Sequence, residues 1–382
     1  MESLAFLFKA KLGLYARKTP AKPWESFDPR GDELAEYSAL WRAKAPALPI
    51  SQIPREYLSP WLENYAIESG HSPVDEAKAI ALGKYRLNAT RFVSAGFPPA
   101  WNHGLESVTS QHWSKISSQL KPIREMSKEL SRFSWALVLV RAWILDGDSA
   151  HVENFWKLFE DWLDKNQPHL GPQWCSDEEV ARRLMNITWI VQAFRHHPSS
   201  TNTRLVKAAR FITVSAERLQ ATFAESVKQA SVAGLAVAVA LYTAGALWPR
   251  LPSSDVWRSD GLEWALDYHL YSLLEVHSSL SPNQYHELLQ LAIWLEVVLR
   301  SEKETLPESL HQKVTRLLRL SEEQSTEENL TVDLFPLTAS APHNTLLVLQ
   351  VAQILFSGIR TMISPSEEAA LLLCGPLCES AK

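Results

Sequence analysis

From about residue 105 onward, apolar residues recur at spacings of three and four, the signature of helices with one buried face. In SAHVENFWKLFEDWLDKN, Val152, Phe155, Trp156, Phe159, Trp162 and Leu163 form a stripe, with Glu153, Lys157, Glu160 and Asp161 opposite. SDEEVARRLMNITWIVQAFRHH repeats the pattern through Val180, Leu184, Ile187, Val191 and Phe194. The same periodicity predicts helices at roughly 122–146, 203–226, 230–248, 254–277, 282–302, 306–320 and 343–361. Ser176 with Glu179, Ser281 with Gln284, Thr305 with Glu308 and Ser364 with Glu367 read as capping boxes, and Pro282 and Pro365 fall at first helical positions. No useful run of alternating β-branched residues occurs, and the connections are short. The expectation is an all-α chain of antiparallel helical hairpins in series, closing into a ring.

One stretch departs from this amphipathic pattern. KQASVAGLAVAVALYTAGALW carries no charge from Ala230 to Trp248, which reaches the length of a bilayer span. It is built of Ala, Val and Gly with Ser231 and Thr243, so insertion would be marginal, and a helix packed on all sides inside the protein is the better reading. Residues 1–104 are richer in Pro and aromatics (Pro46, Pro49, Pro54, Pro60, Pro73, Pro98, Pro99) and are expected to wrap a 105–382 toroid domain as irregular structure with short helices.

Composition narrows the function without naming it. A 382-residue chain that is 46% hydrophobic can bury one large core or two modest ones. The net charge of −5 and scattered basic residues argue against nucleic acid. Cys175, Cys374 and Cys378 form no CxxC pair, and His196–His197 at a helix end suits the helix dipole, so no metal site and no cofactor are expected. MESLAFLFKAKLGLYARK has only a five-residue apolar run and no small-residue cleavage site, so a cytoplasmic location is expected.

Four segments in order carry a resemblance: HWSKI (His112–Ile116) with ELSRFSWALVLVRAW; NQPHLGPQWCSDEEVARRLMNITW; the uncharged stretch with the LWPRL and WRSDG that follow; and VHSSLSPNQYHELLQ. Together they resemble the N-terminal α/α-toroid of the heparinase II/III-like polysaccharide lyases, which implies elimination across the glycosidic bond of a uronic-acid polysaccharide. That chemistry has to neutralise the uronate carboxylate, stabilise an enolate, remove the C5 proton and protonate the leaving oxygen. Family members do this with an adjacent Asn-His pair, a nearby Tyr or His, and a further His from a C-terminal β-sandwich.

Aligning LYTAG with the family's LWTIG puts the Asn-His pair at Val232 and Ala233, so the neutralising pair is replaced by apolar residues. Tyr285, followed by His286, matches the family's tyrosine, and the two are the catalytic candidates; His112, His277 and His286 are the imidazoles to look for beside Tyr285. The closing SPSEEAALLLCGP resembles the segment before the sandwich, so an incomplete toroid without that domain is expected.

Substrate-binding candidates are His112, Trp113, Trp174, Glu179 and Arg183. An exposed indole beside a polar group suits a pyranose face, although most of the Trp follow the core stripes. Glu179 and Arg183 also suit a helical i,i+4 pair, and Arg132 with Glu129 a buried ion pair between helices. Three functions stay open: a toroid that binds or helps process an anionic polysaccharide with impaired catalysis, an active lyase using other residues or a separate β-sandwich subunit, and a non-catalytic scaffold.

Overall fold

Two short helices, α1 (Leu4–Lys11) and α2 (Leu14–Lys18), precede α3 (Leu34–Lys44), α4 (Pro73–Ala81) and a two-stranded antiparallel ribbon, β1 (Lys84–Arg86) with β2 (Phe92–Ser94), in register Tyr85 to Val93. The helical series follows: α5 (Glu125–Arg132), α6 (Leu137–Asp146), α7 (Ser149–Lys165), α8 (Asp177–Ala193), α9 (Asn202–Ser226), α10 (Val232–Leu247), α11 (Ser254–Glu263), α12 (Tyr271–Glu275) and α13 (Pro282–Ser301). The computed structural model describes residues 4–29, 34–48, 51, 55–56, 58–60, 62–63, 72–86, 92–116, 125–226, 230–275 and 280–314. Among these residues the ribbon is the sole sheet, so the protein is all-α as the periodicity predicts. The predicted helix at 343–361 and the Ser364/Glu367 box lie outside the described residues.

Helix α10 is the uncharged stretch, and it touches α8, α9, α11 and α13. Every residue from Gly234 to Leu247 is buried, which is why the helix is apolar all round. Small residues let a neighbour approach at backbone contact. A Cβ on Gly245 would lie 2.4 Å from the Arg258 backbone nitrogen, and one on Gly261 would lie 2.4 Å from that of Tyr242. Two glycines on facing helices thus fix the α10–α11 crossing. Among the described residues no helix is long and apolar enough to cross a membrane.

Two predicted helices are interrupted. The stretch at 122–146 breaks at Phe133, which adopts φ 60°, between α5 and α6. Neighbouring side chains hold the carbonyls that an unbroken helix would have used. Trp135 Nε1 donates to Leu130 O at 2.8 Å, Arg183 Nη1 to Ser131 O at 3.4 Å and Asn186 Nδ2 to Arg132 O at 3.0 Å. The Phe133 ring then packs among Trp101, Trp135, Phe159 and Trp162. The stretch at 254–277 contains a π-helical segment, Trp264–Leu270, between α11 and α12.

The amino-terminal elements join the same hydrophobic core as the helical series. Arg195, just past α8, donates to the carbonyls of Trp41, Arg42, Ala45 and Pro46, placing a cation on the carboxyl end of α3, where the dipole favours it.

Candidate functional site

The amino terminus of α8 organises the residues singled out from the sequence. Ser176 caps it, accepting from the Glu179 N–H at 3.4 Å, and its first turn carries Asp177, Glu178 and Glu179. Carboxylates there suit the positive end of the helix dipole. From this turn two charged clusters extend, one inward and one along the rim of helix ends.

The inward cluster centres on Arg218 of α9. Its guanidinium donates to Asp177 Oδ1 at 2.8 Å, to Trp174 O at 2.7 Å and to Thr222 Oγ1 at 3.0 Å, and its Cζ lies 3.3 Å from the centre of the Trp113 ring. Trp113 Nε1 donates to Thr19 Oγ1 at 3.0 Å. His112 Nε2 lies 2.8 Å from Thr19 O, so that nitrogen carries the proton, leaving Nδ1 to accept from the Ser114 N–H at 3.3 Å. Burial pushes the His112 pKa down, consistent with a neutral ring.

Nearby, His169 adopts φ 60° and its two nitrogens lie 3.2 Å from Pro20 O and 3.3 Å from Val214 O. Two acceptors would suit an imidazolium, but burial pushes the pKa to about 4, so the neutral ring donates to one of them.

These contacts correct the expectation that the indoles form a sugar platform. Trp113 is 2% exposed and Trp174 fully buried, and both faces are taken by protein. Tyr15 packs on Trp113, Trp24 and Trp162 pack on Trp174, and Trp174 Nε1 donates to Gln167 O at 3.0 Å. Arg183 is likewise internal. It donates to Gln173 O at 2.7 Å and lies over the Trp162 and Trp174 rings at 4.7 and 5.5 Å, and burial lowers its pKa to about 9. Its surroundings are those of a cation locking the wall, because no face is left for a uronate.

The rim cluster joins α5, α8 and α13. Arg132 meets Glu179 with two bonds, Nε to Oε2 at 2.6 Å and Nη2 to Oε1 at 2.7 Å, and Lys128 Nζ lies 3.6 Å from Glu179 Oε1. Burial would raise the Glu179 pKa, yet the Arg132 guanidinium holds it at about 2. The carboxylate that the sequence offered to Arg183 is therefore bonded to Arg132 from another helix. Arg182 bridges Glu178 and Glu287, the latter at 2.6 Å, and burial raises the Glu287 pKa. Tyr285 and His286 lie just before Glu287 at the start of α13, which Ser281 and Gln284 close with a capping box; their side chains lie outside the described residues, as does His277.

Val232 and Ala233 open α10, with Ser231 accepting from the Gly234 N–H at 3.0 Å; Val232 is buried and Ala233 exposed. Sequence reasoning passed over Arg218, Asp177 and Glu287. Arg218 left a readable signal, since it falls in the apolar stripe of Phe211, Val214 and Ala221, where an arginine must find internal partners. Among the described residues no group of three or more His, Cys, Asp or Glu is arranged to hold a metal.

A series of helices with paired charges at their ends, packed beside a small-residue helix buried from Gly234 to Leu247, defines an all-α protein of the toroid class. The family model described as Heparinase II/III N-terminus matches residues 63–300, and the chain belongs to that family. A heparin-sulfate lyase of Bacteroides thetaiotaomicron is 24% identical over 179 residues, which is 46% of this chain and 24% of that protein. A crystal structure of heparinase III matches at a TM-score of 0.50 and 15% identity, covering 84% of this chain and 46% of that one. The heparan sulfate lyase HepC of Pedobacter heparinus matches at 0.47 and 16% identity, over 75% of this chain and 42% of that one. The chain spans about a quarter of the curated relative's length and under half that of the solved structures.

Proposed function

We propose that the toroid recognises an anionic, uronic-acid polysaccharide along the rim of helix ends and is impaired in the elimination chemistry of its family, acting within an exopolysaccharide pathway. The observation that carries this reading is the amino terminus of α10. The positions aligned with the neutralising Asn-His pair hold Val232 and Ala233, one buried hydrocarbon and one exposed methyl, neither able to donate to a uronate carboxylate. Losing one oxyanion-stabilising donor lowers turnover about a hundred- to a thousandfold, and two positions are changed here. Recognition falls to the rim residues Lys128 and Arg132 rather than to the buried indoles.

An active lyase is the second reading, favoured by Glu287. This carboxyl lies two residues from Tyr285, where burial pushes its pKa up against the pull of Arg182 2.6 Å away. This reading needs other residues in place of the lost pair, including any that a separate β-sandwich subunit supplies.

Titration of the purified chain with alginate, heparosan, hyaluronan and chondroitin at low salt, scored for binding and for unsaturated uronate, separates the readings. Saturable binding to a uronic-acid polymer without product is expected. Product formation abolished by Glu287→Gln and Tyr285→Phe would establish the lyase, and no binding to any of the four would leave a scaffold.

A further inference from the structure

The first two helices combine features that the polysaccharide reading does not use. Between Ser3 and Trp24 the chain has five cations, Lys9, Lys11, Arg17, Lys18 and Lys22, and no carboxylate. Lys11, Arg17, Lys18 and Lys22 are exposed. Three large apolar residues lie exposed in the same segment, Phe8 at 64%, Leu12 at 51% and Leu14 at 36%. Phe8 and Leu12 are four residues apart, so they share one side of α1 and its exit, and Leu14 follows the turn at Gly13, φ 70°.

The hairpin is held to the body on its other side. Lys9 pairs with Glu225, Lys18 Nζ donates to Ala221 O at 3.5 Å, and the buried Tyr15 ring lies 5.2 Å from that of Trp113. These anchors fix it against the carboxyl end of α9, the end from which the chain leads to Ala233. Exposed Phe and Leu on a surface tied to the body keep an unfavourable contact with water that folding has not removed.

We infer that the α1–α2 hairpin docks the protein peripherally onto an anionic lipid surface, with Phe8, Leu12 and Leu14 entering the headgroup–acyl boundary and Lys11, Arg17 and Lys22 pairing with lipid phosphates. Charge complementarity selects the anionic headgroup, and the apolar trio selects a bilayer over a hydrated polysaccharide, which gives leucine nothing to leave water for. Eight residues of α1 are far too few to span a membrane, so the contact is interfacial. The inference stands independently of what the helix-end rim binds.

Co-sedimentation of the full chain with vesicles of phosphatidylcholine alone, or of phosphatidylcholine mixed with phosphatidylglycerol, tests it. Partition onto the anionic vesicles and not the neutral ones is expected, weakening as salt rises. Each surface cation contributes about fivefold, so Lys11→Gln/Arg17→Gln/Lys22→Gln should reduce partition about a hundredfold. Phe8→Ser/Leu12→Ser should reduce it about tenfold or more, and both variants should keep the wild-type melting temperature because the changed side chains face solvent. Equal partition onto both vesicle types, or partition that neither variant alters, overturns the inference. So does a hairpin that loses affinity for a soluble uronic-acid polymer rather than for vesicles, or one whose apolar pair is consumed in a concentration-dependent dimer.

Discussion

The two ends of α10 obey different constraints. Toward its carboxyl end Gly245 meets α11 at backbone distance, Thr243 Oγ1 accepts from Trp294 Nε1 at 2.9 Å, and Tyr242 donates to Glu302 at 2.7 Å, which in turn pairs with Arg258. At the amino end Ser231 closes the helix with its own hydroxyl, and Ala233 faces solvent. Ala233 can change there without disturbing the fold, whereas its neighbour Val232 is part of the core.

The largest effect that would sharpen this contrast is expected inside the wall. Trp174→Ala empties a fully buried site and strips Arg183 of one of its two ring contacts, and should cost about 3–5 kcal/mol by thermal or denaturant unfolding. Any of the variant that still folds should bind polysaccharide as the wild type does; a selective loss of binding would return Trp174 to the sugar site. Next, Gly261→Ala drives a methyl into the Tyr242 backbone and should cost about 2–3 kcal/mol. A neutral outcome there would show that α10 and α11 have room to separate.

Glu179→Gln breaks the two-bond pairing with Arg132 and should cost about 2–3 kcal/mol, less than a fully interior ion pair because Arg132 reaches the surface. The pH dependence provides a second readout. The folded-state pKa of Glu179 is depressed to about 2, so its contribution is complete above the unfolded-state pKa near 4.3 and is lost as pH falls from there toward 2. The variant should show a shallower acid decline in that window. His169 acts at higher pH. Its folded-state pKa is lowered to about 4, so stability is full above the unfolded-state value near 6.5 and falls as pH drops from 6.5 to 4, at up to roughly 1.4 kcal/mol per pH unit. His169→Gln should flatten that segment of the profile. The smallest effect belongs to the open end, where Ala233→Ser should change stability by no more than about 0.5 kcal/mol.

Helix positions were legible because period and caps are local properties; the Ser281–Gln284 box and the buried character of α10 appear as the residues imply. The break at Phe133 was not legible, because Arg183 and Asn186 from α8, together with Trp135, capture the carbonyls that end α5, and no local pattern records the distant donors. The indoles were ambiguous for a different reason. Trp113 and Trp174 sit beside polar groups in the sequence, which suits either a sugar platform or a core residue whose N–H finds an acceptor, and burial alone separates the two. Glu179 and Arg183 had ideal spacing to pair along α8, yet a guanidinium from α5 reaches Glu179 with better geometry.

In the function proposed above, this toroid keeps a polysaccharide-binding rim while its elimination chemistry is impaired at the mouth of α10. The most direct measurement follows ultraviolet absorbance of unsaturated uronate and bound polymer together, in one sample of wild-type chain mixed with heparosan. Saturable binding with absorbance at the level of a protein-free control is the predicted result. A steady rise in absorbance that Tyr285→Phe abolishes would rule out impaired elimination and place an intact active site beside α13.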